Sequence, residues 1–327
     1  MMAPLTRADI SALSQELVSF ADPRDPAALL ELLRLLYAVG RRDLPLGRLF
    51  EGHVDALQIV TRLGTPAQAQ ASQYAARDGA VFGVWNADLA GEPLCWRDGR
   101  LFGSKAFASG AGILTHALVS VDLEGGRQLL LVDLQRAPPT IDRTWWQVTG
   151  MQRSETHIVR WSDQALEPTT LIGEPSHYVR EPWFSGGAIR FAAVQAGGIA
   201  AVVDRVRDHL VAQGRASDPI QSARLAELFA VTQAAAQAVA AAAGQWRDDD
   251  IAGTLAHVAW ARVAVYEAGE RVLTLAQAAV GLQGMFRAHP LATALSDLAV
   301  YLRQPGPDAQ RARLGQAVAE GLLSPTL

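Results

Sequence analysis

The stretch Leu101-Phe-Gly-Ser-Lys-Ala-Phe-Ala-Ser-Gly-Ala-Gly112 brings a lysine, an aromatic ring and a hydroxyl into one short run. Phe107 and Ser109 can serve as an aromatic wall with a hydroxyl beside it, which is what a flat ligand requires. The same two residues also suit a core position and a strand end. Trp85 and Asn86 close a second short run, Phe82-Gly-Val-Trp-Asn86, and Trp85 has the same two uses. Trp145-Trp146 reads as core plus rim. Asp308 follows Pro307 and either caps the following helix or serves as a catalytic carboxylate. Arg190 lies inside a helical pattern, where a surface salt bridge is one use for it. His53, His157 and His209 lack metal-ligand spacing with cysteine or carboxylate clusters, so no metal site is expected. His289-Pro290 suits capping or packing. There is no Gly-x-Ser-x-Gly elbow and no phosphate loop. Gly110-Ala-Gly112 lacks the strand–helix setting of a dinucleotide fold.

The surrounding elements fall into three blocks. Residues 6 to 77 carry helical periodicity. Thr6 caps Ile10 to Val18. Asp25-Pro26 opens a helix whose buried face is expected to be Leu29, Leu30, Leu32, Leu33, Leu36 and Val39. Pro45 begins another that runs to Gly64, and Thr65-Pro66 starts a fourth. From Gly79 the pattern turns to short β-type runs: Ala80 to Asn86, Pro93 to Arg97, Arg100 to Ala108, His116 to Val121, Gln128 to Leu134, Thr144 to Thr149 and Thr156 to Trp161. Asp98-Gly99 and Glu124-Gly125-Gly126 punctuate them as hairpin turns do. Such a set predicts a small barrel or sandwich. From about Phe184 long helical patterns return over Gly186 to Gln213, Ile220 to Gln245 and Ile251 to Met285, with shorter ones at Leu291 to Leu302 and Asp308 to Leu322. Long helices with short links predict a four-helix bundle. The third long helix shows Val258, Trp260, Val263, Val265, Val272, Leu275, Val280 and Leu282 around much of its circumference. It is therefore expected to bury one side against a second subunit.

The chain has 327 residues and a net charge of −4; half of it is apolar, and its lysines and arginines are scattered. That composition fits a large core and gives no basic stripe for nucleic acid. Cys95 is the only cysteine, so neither an internal disulfide nor a cysteine metal cluster can form, and a reducing cytoplasm is expected. The N-terminus has no cationic head followed by an apolar run. No apolar stretch is expected to reach the ~18 residues needed to span a bilayer.

Helical front, β middle and helical back, in that order, resemble the acyl-CoA dehydrogenase superfamily. The strand Gly103-Ser-Lys-Ala-Phe-Ala-Ser-Gly110 is similar to that family's flavin-contacting strand. Further resemblances lie at Leu63-Gly-Thr-Pro-Ala-Gln68, Gly150-Met-Gln-Arg-Ser154, Leu171-Ile-Gly-Glu-Pro175 and Phe184 to Arg190. The resemblance implies an α+β fold in three parts. These are a shortened helical domain over 1–77, a β-barrel over 78–176 and a four-helix bundle over 177–327. It implies FAD as cofactor, with Trp85, Asn86, Phe107 and Ser109 at the flavin, and an acyl thioester or related small molecule as substrate. It also implies a homodimer or homotetramer, and it places Arg190 near the active site and the subunit contacts.

The departures from the family pattern matter as much. The Arg-x-x-Phe-Gly element that usually holds flavin pyrophosphate is not recognisable, and only Arg215 and Arg224 lie near its place. The arginine of the family's Arg-Asp pair is Ser296, followed by Asp297. Counting on from Asp297, the catalytic glutamate falls at Gln304-Pro305, and the alternative base position is Ile189. Neither Gln304, Pro305 nor Ile189 accepts a proton near neutral pH. Asp308 and Glu181 are the nearest carboxylates in sequence. The expected function is therefore a flavin-dependent oxidoreductase without the usual glutamate. The alternatives are a flavin monooxygenase of the same fold, in which reduced flavin and oxygen remove the need for that base, and a cofactor-free accessory or scaffold protein.

Overall fold

The chain folds into a helical front, a two-sheet middle and a helical back. The computed structural model describes residues 3–167, 170–304 and 306–326. The front comprises α1 (Arg7–Ser14), α2 (Pro26–Arg42), α3 (Leu44–Leu63) and α4 (Pro66–Arg77). Each begins where the sequence supplies a cap. Asp25 accepts from Ala28 N at 2.8 Å, Asp43 accepts from Leu46 N at 3.1 Å, and Thr65 forms a reciprocal capping box with Gln68.

The middle holds β1 (Phe82–Trp85), β2 (Cys95–Arg97), β3 (Arg100–Ala108), β4 (His116–Leu123), β5 (Gly126–Asp133), β6 (Thr140–Asp142), β7 (His157–Ala165) and β8 (Leu171–Ile172). Instead of one closed barrel they form two separate four-stranded sheets, ordered β1-β4-β5-β8 and β2-β3-β7-β6. β1 pairs with β4 in parallel; every other pairing is antiparallel. Lys105 on β3 crosses between the sheets. It is fully buried, and its Nζ donates to Asp88 Oδ1 at 2.7 Å, Asn86 O at 3.1 Å and Ser120 Oγ on β4 at 3.1 Å. A buried ammonium is tolerated because all three protons are bonded. Two expectations are corrected here. The expected barrel is two sheets, and the expected strand at Thr144 to Thr149 is absent, its place in the sheet being taken by β6 at 140–142. Asp142 Oδ1 accepts from Thr144 N and Oγ1 at 3.0 and 2.7 Å, which turns the chain before the tryptophan pair.

The back comprises the short α5 (Trp183–Gly186), the long α6 (Ala188–Ala212), α7 (Pro219–Gly244) and α8 (Ile251–Val280), then α9 (Pro290–Tyr301) and α10 (Pro307–Ala319). Pro305 lies outside the described residues. The helix α6 runs through the centre and packs on α2, α3, α7, α8 and α9. Its contact with α2 is backbone on backbone: a Cβ on Gly197 would sit 2.1 Å from Tyr37 O, and one on Gly40 would sit 2.4 Å from Val194 O. No other residue permits that approach.

Two helices, 183–212 and 219–244, are long and apolar enough by length and composition to cross a membrane, contrary to the expectation from unbroken runs. A few polar residues interrupt the runs without changing the average. The first is 83% buried inside the fold, as a core helix is, and the second only 28%. The apolar circumference of α8 is largely covered within the chain, where it meets α6, α7 and α10. The helix with the more open surface is α7, whose face of Ala226, Phe229, Ala230, Gln233, Ala234, Gln237 and Ala241 is exposed.

Candidate functional site

A cleft of about 430 Å³ opens where the front, the sheets and the back meet. The helix α3 contributes Arg48, Glu51, Asp55 and Arg62; the end of β1 contributes Asn86; β3 contributes Phe107; α6 contributes Arg190 and Phe191; α8 contributes Arg262. Tyr178, Trp183 and Phe184 complete an aromatic rim, and Gln304 and Arg313 stand on the far side. The volume is in the range of small-molecule sites, ~300–1,000 Å³. The charged lining residues are Arg48, Arg62, Arg190, Arg262 and Arg313 against Glu51 and Asp55, a surplus of positive charge that favours an anionic group in a ligand.

Phe107 reaches the cleft through a defect in β3. Lys105 pairs with Val159 and Ala108 with His157, so β3 carries one extra residue in between. This bulge puts Phe107 at φ +53°, in the left-handed region, and leaves its ring 47% exposed. The ring meets Trp145 edge-on at 4.8 Å between centroids. A strained non-glycine backbone that holds an aromatic ring toward a cleft points to function.

The expected site residues separate into layers. Asn86 and Phe107 line the cleft itself. Ser109 lines a narrow crevice beside it, together with Arg48, Ser154, Thr156, Tyr301 and Gln304. There Ser109 Oγ accepts from Thr156 Oγ1 at 3.1 Å, and Thr156 in turn lies 2.8 Å from Ser154 Oγ. Trp85 is in the core, with its ring against Trp161, and its Nε1 donates to Ser109 O at 2.9 Å. Trp85 thus braces the strand end and does not line the cleft. Arg190 lines the cleft and is buried. Asp308 is exposed at the first turn of α10, is paired with Arg311 at 2.8 Å, and is not among the lining residues.

The sequence reading missed the charged wall of α3. Arg190 Nη2 donates to Asp55 Oδ1, Arg48 Nη1 donates to Glu51 Oε2 at 2.9 Å, and Arg62 Nη1 donates to Asp22 Oδ2 at 2.9 Å. The signal was present in Arg48, Glu51, Asp55 and Arg62. These charges recur at three-, four- and seven-residue spacing on a helix that is otherwise buried almost throughout. Burial holds the Glu51 carboxyl well above the usual carboxylate range. Arg48 opposes this, Asp55 adds to it, and Arg190 opposes it. Burial acts to lower the Arg190 guanidinium, but Asp55, Glu51 and Asp22 outweigh it and the net shift is upward. Burial also pushes the Tyr178 phenol up; this hydroxyl accepts from Asn86 Nδ2.

Among the lining residues, Asn86 Oδ1, Glu51 Oε1 and Arg190 Nε are buried without a hydrogen-bond partner, although Glu51 Oε1 and Arg190 Nε form an ion pair at 3.8 Å.

The chain has the acyl-CoA dehydrogenase-like fold, as comparison with solved structures shows. It is similar to FMN-bound TdsC from Paenibacillus sp. A11-2 at 16% identity and TM-score 0.78, covering 96% of this chain and 97% of that one. It is similar to butyryl-CoA dehydrogenase from Megasphaera elsdenii at 16% identity and TM-score 0.72, over 98% and 100%. FkbI, described for biosynthesis of a methoxymalonyl extender unit, superposes with TM-score 0.80 at 14% identity, over 97% and 94%. No protein-family model matches the sequence, and no curated protein matches it in sequence.

Proposed function

We propose that the chain is a flavin-dependent oxidoreductase acting on a small molecule, an acyl thioester or a related compound, at the cleft between α3, β3 and α6. The observation that carries this reading is the arginine-lined, aromatic-rimmed cleft toward which the β3 bulge turns the half-exposed Phe107, in an acyl-CoA dehydrogenase-like fold. The residues fit a flavin. Phe107 would lie against the ring system, Asn86 and Ser109 would supply polar contacts, and the arginine surplus would face the phosphate. Bound flavin would accept a hydride and, once reduced, react with oxygen. The chain's own residues do the rest: α3 and α6 fix the charges, Trp145 supports the Phe107 ring edge-on, and Trp85 holds the strand end in place. The domain division 1–77, 78–176 and 177–327 belongs to this reading, as do FAD as the flavin and a homodimer or homotetramer as the assembly.

Oxygenation is favoured over dehydrogenation by Gln304. It lines the cleft where the resemblance calls for a carboxylate, and an amide cannot remove an α-proton. The structure of TdsC, a dibenzothiophene monooxygenase from Paenibacillus sp. A11-2, has a similar fold at 16% identity and TM-score 0.78. The test is direct. Purified protein is titrated with FAD and with FMN while the visible flavin band and its fluorescence are followed. Saturable binding of either supports the reading; no binding of either refutes it. Under anaerobic conditions, straight-chain acyl-CoAs are expected to leave the bound flavin oxidised. Rapid bleaching would restore dehydrogenation.

A further inference from the structure

We propose that a second chamber beside the cleft is a phosphate-binding subsite, which holds a phosphate carried on the non-reacting end of the small molecule. The inference rests on the reading of the cleft as the reaction site, and it deepens that reading by naming the substrate class, a phosphorylated compound. The chamber has a volume of about 230 Å³. Arg62, Trp183 and Arg190 line both it and the cleft, so they form a shared wall. In that wall the Arg62 guanidinium lies over the Trp183 ring, 5.6 Å from its centroid. Other sides come from two links of the chain: the one that leads into α2, with Arg24, and the one between α7 and α8, with Trp246 and Arg247. Trp246 packs on the main chain of α5, where a Cβ on Gly186 would sit 2.7 Å from Cη2 of its ring.

The charges of the chamber decide what it can hold. It is lined by Arg24, Arg62, Arg190 and Arg247 and by the carboxylates Asp22, Asp25 and Asp248. Each carboxylate has a donor within the chain. Asp22 Oδ2 accepts from Arg62 Nη1 at 2.9 Å, Asp25 Oδ1 from Ala28 N at 2.8 Å, and Asp248 Oδ1 from Trp246 Nε1 at 2.9 Å. Arg190 is matched by Asp55, and Arg62 by Asp22. Arg24 and Arg247 form no ion pair with any described residue. Arg247 uses only Nη1, on the carbonyls of Gly244 and Trp246 at 3.3 and 2.7 Å. Both residues are exposed, so a ligand reaches them without any rearrangement of the interior. Two unmatched guanidinium groups favour phosphate over carboxylate. One arginine fork saturates both oxygens of a carboxylate, whereas a phosphate monoester offers three oxygens and a charge of about −2 to share between two forks. No bond is made or broken here; the subsite binds and orients the end that does not react.

Calorimetric titration of the full chain with inorganic pyrophosphate, once alone and once saturated with FMN, tests the proposal. Saturable binding is expected in both states, weakened about tenfold or more in the double variant Arg24→Gln/Arg247→Gln. The double variant Arg97→Gln/Arg287→Gln removes the same charge from two exposed arginines that line neither chamber, and its affinity should stay within about twofold of wild type. Absence of saturable binding in wild type overturns the proposal, as does full retention of affinity in Arg24→Gln/Arg247→Gln. An equal loss in both double variants overturns it as well, because net charge alone then attracts the anion. Succinate binding as tightly as pyrophosphate removes the preference for phosphate and overturns it. Displacement of pyrophosphate by FMN overturns it too, because the chamber then serves the cofactor's phosphate. A chain that binds pyrophosphate through Arg24 and Arg247 but binds neither FAD nor FMN supports the subsite and refutes the flavin reading alone.

Discussion

Asp297 on α9 should make the protein less stable as the pH rises, the reverse of the usual behaviour of a carboxylate. Its side chain is 9% exposed, and Oδ1 accepts from Met151 N at 2.5 Å, docking the middle segment onto the back of the fold. Burial raises its pKa from 3.8 to about 6; the hydrogen bond from Met151 N opposes this, Asp43 adds to it, and Arg153 and Arg205 oppose it. Between those two values the folded chain binds a proton that the unfolded chain does not. Stability is therefore full below pH 4, falls through the window, and reaches its floor above pH 6. Two pH units correspond to ~3 kcal/mol at ~1.4 kcal/mol each, and partial solvation reduces this to ~1–3 kcal/mol. Asp297→Asn keeps an oxygen for Met151 N and removes the charge. Urea unfolding of both proteins from pH 4 to 7.5, with two probes to check coincident transitions, gives the difference curve. The variant should match wild type near pH 4 and exceed it by that amount at pH 7.5. A flat difference curve, or a variant less stable than wild type at pH 7.5, would refute the reasoning and mean that Arg153 and Arg205 keep the carboxylate charged.

Other perturbations test other parts of the fold. His53 is neutral in the fold, its pKa lowered to about 4 by burial, with Nδ1 accepting from Phe82 N at 3.1 Å and Nε2 at 2.8 Å from Ser14 Oγ. The unfolded chain takes up its proton first, so stability should drop as pH falls from 6.5 toward 4, and His53→Gln should flatten that limb in the same urea series. Gly150→Ala would drive a Cβ to 2.0 Å from Ser296 O, and a loss of ~2 kcal/mol or more in thermal unfolding is expected. Phe107→Gly relieves the left-handed backbone, so stability should rise by up to ~1 kcal/mol while flavin affinity falls; a gain in both would remove Phe107 from the site. Light scattering should give a mass of at least two 35.0 kDa chains, and Ala234→Glu on the open face of α7 should reduce it.

The three-part order was legible because its signals are local. Asp25-Pro26, Thr65-Pro66 and Asp98-Gly99 each fix a cap or turn from adjacent residues, and each stands where expected. The division of the strands into two sheets was not legible, since it depends on contacts across the chain such as Lys105 to Ser120. The layering of the site was half legible. Adjacent strand residues identified Asn86 and Phe107, but only the bulge at residues 106–107 decides that Phe107 faces the cleft, while Trp85 turns inward. The α3 charges went unread because a buried carboxylate acquires meaning only from its partner. Arg190 lies 135 residues from Asp55, and no spacing rule connects them.

The glycine contact between α2 and α6 acts as a ruler made of main chain. A Cβ on Gly47 of α3 would also strike Gly40 Cα at 3.0 Å and Val194 Cγ1 at 2.8 Å, so three helices share one point of closest approach. Glu51 lies one turn beyond Gly47 on α3, and Arg190 lies one turn before Val194 on α6. The separation of the two backbone positions that carry these groups is thus set by close packing at glycines, where peptide units meet without side chains between them. Core substitutions elsewhere can shift side chains by tenths of an ångström without opening or closing that gap. The spacing therefore tolerates drift in the apolar interior, and it is vulnerable at a handful of positions where any side chain beyond hydrogen is too large.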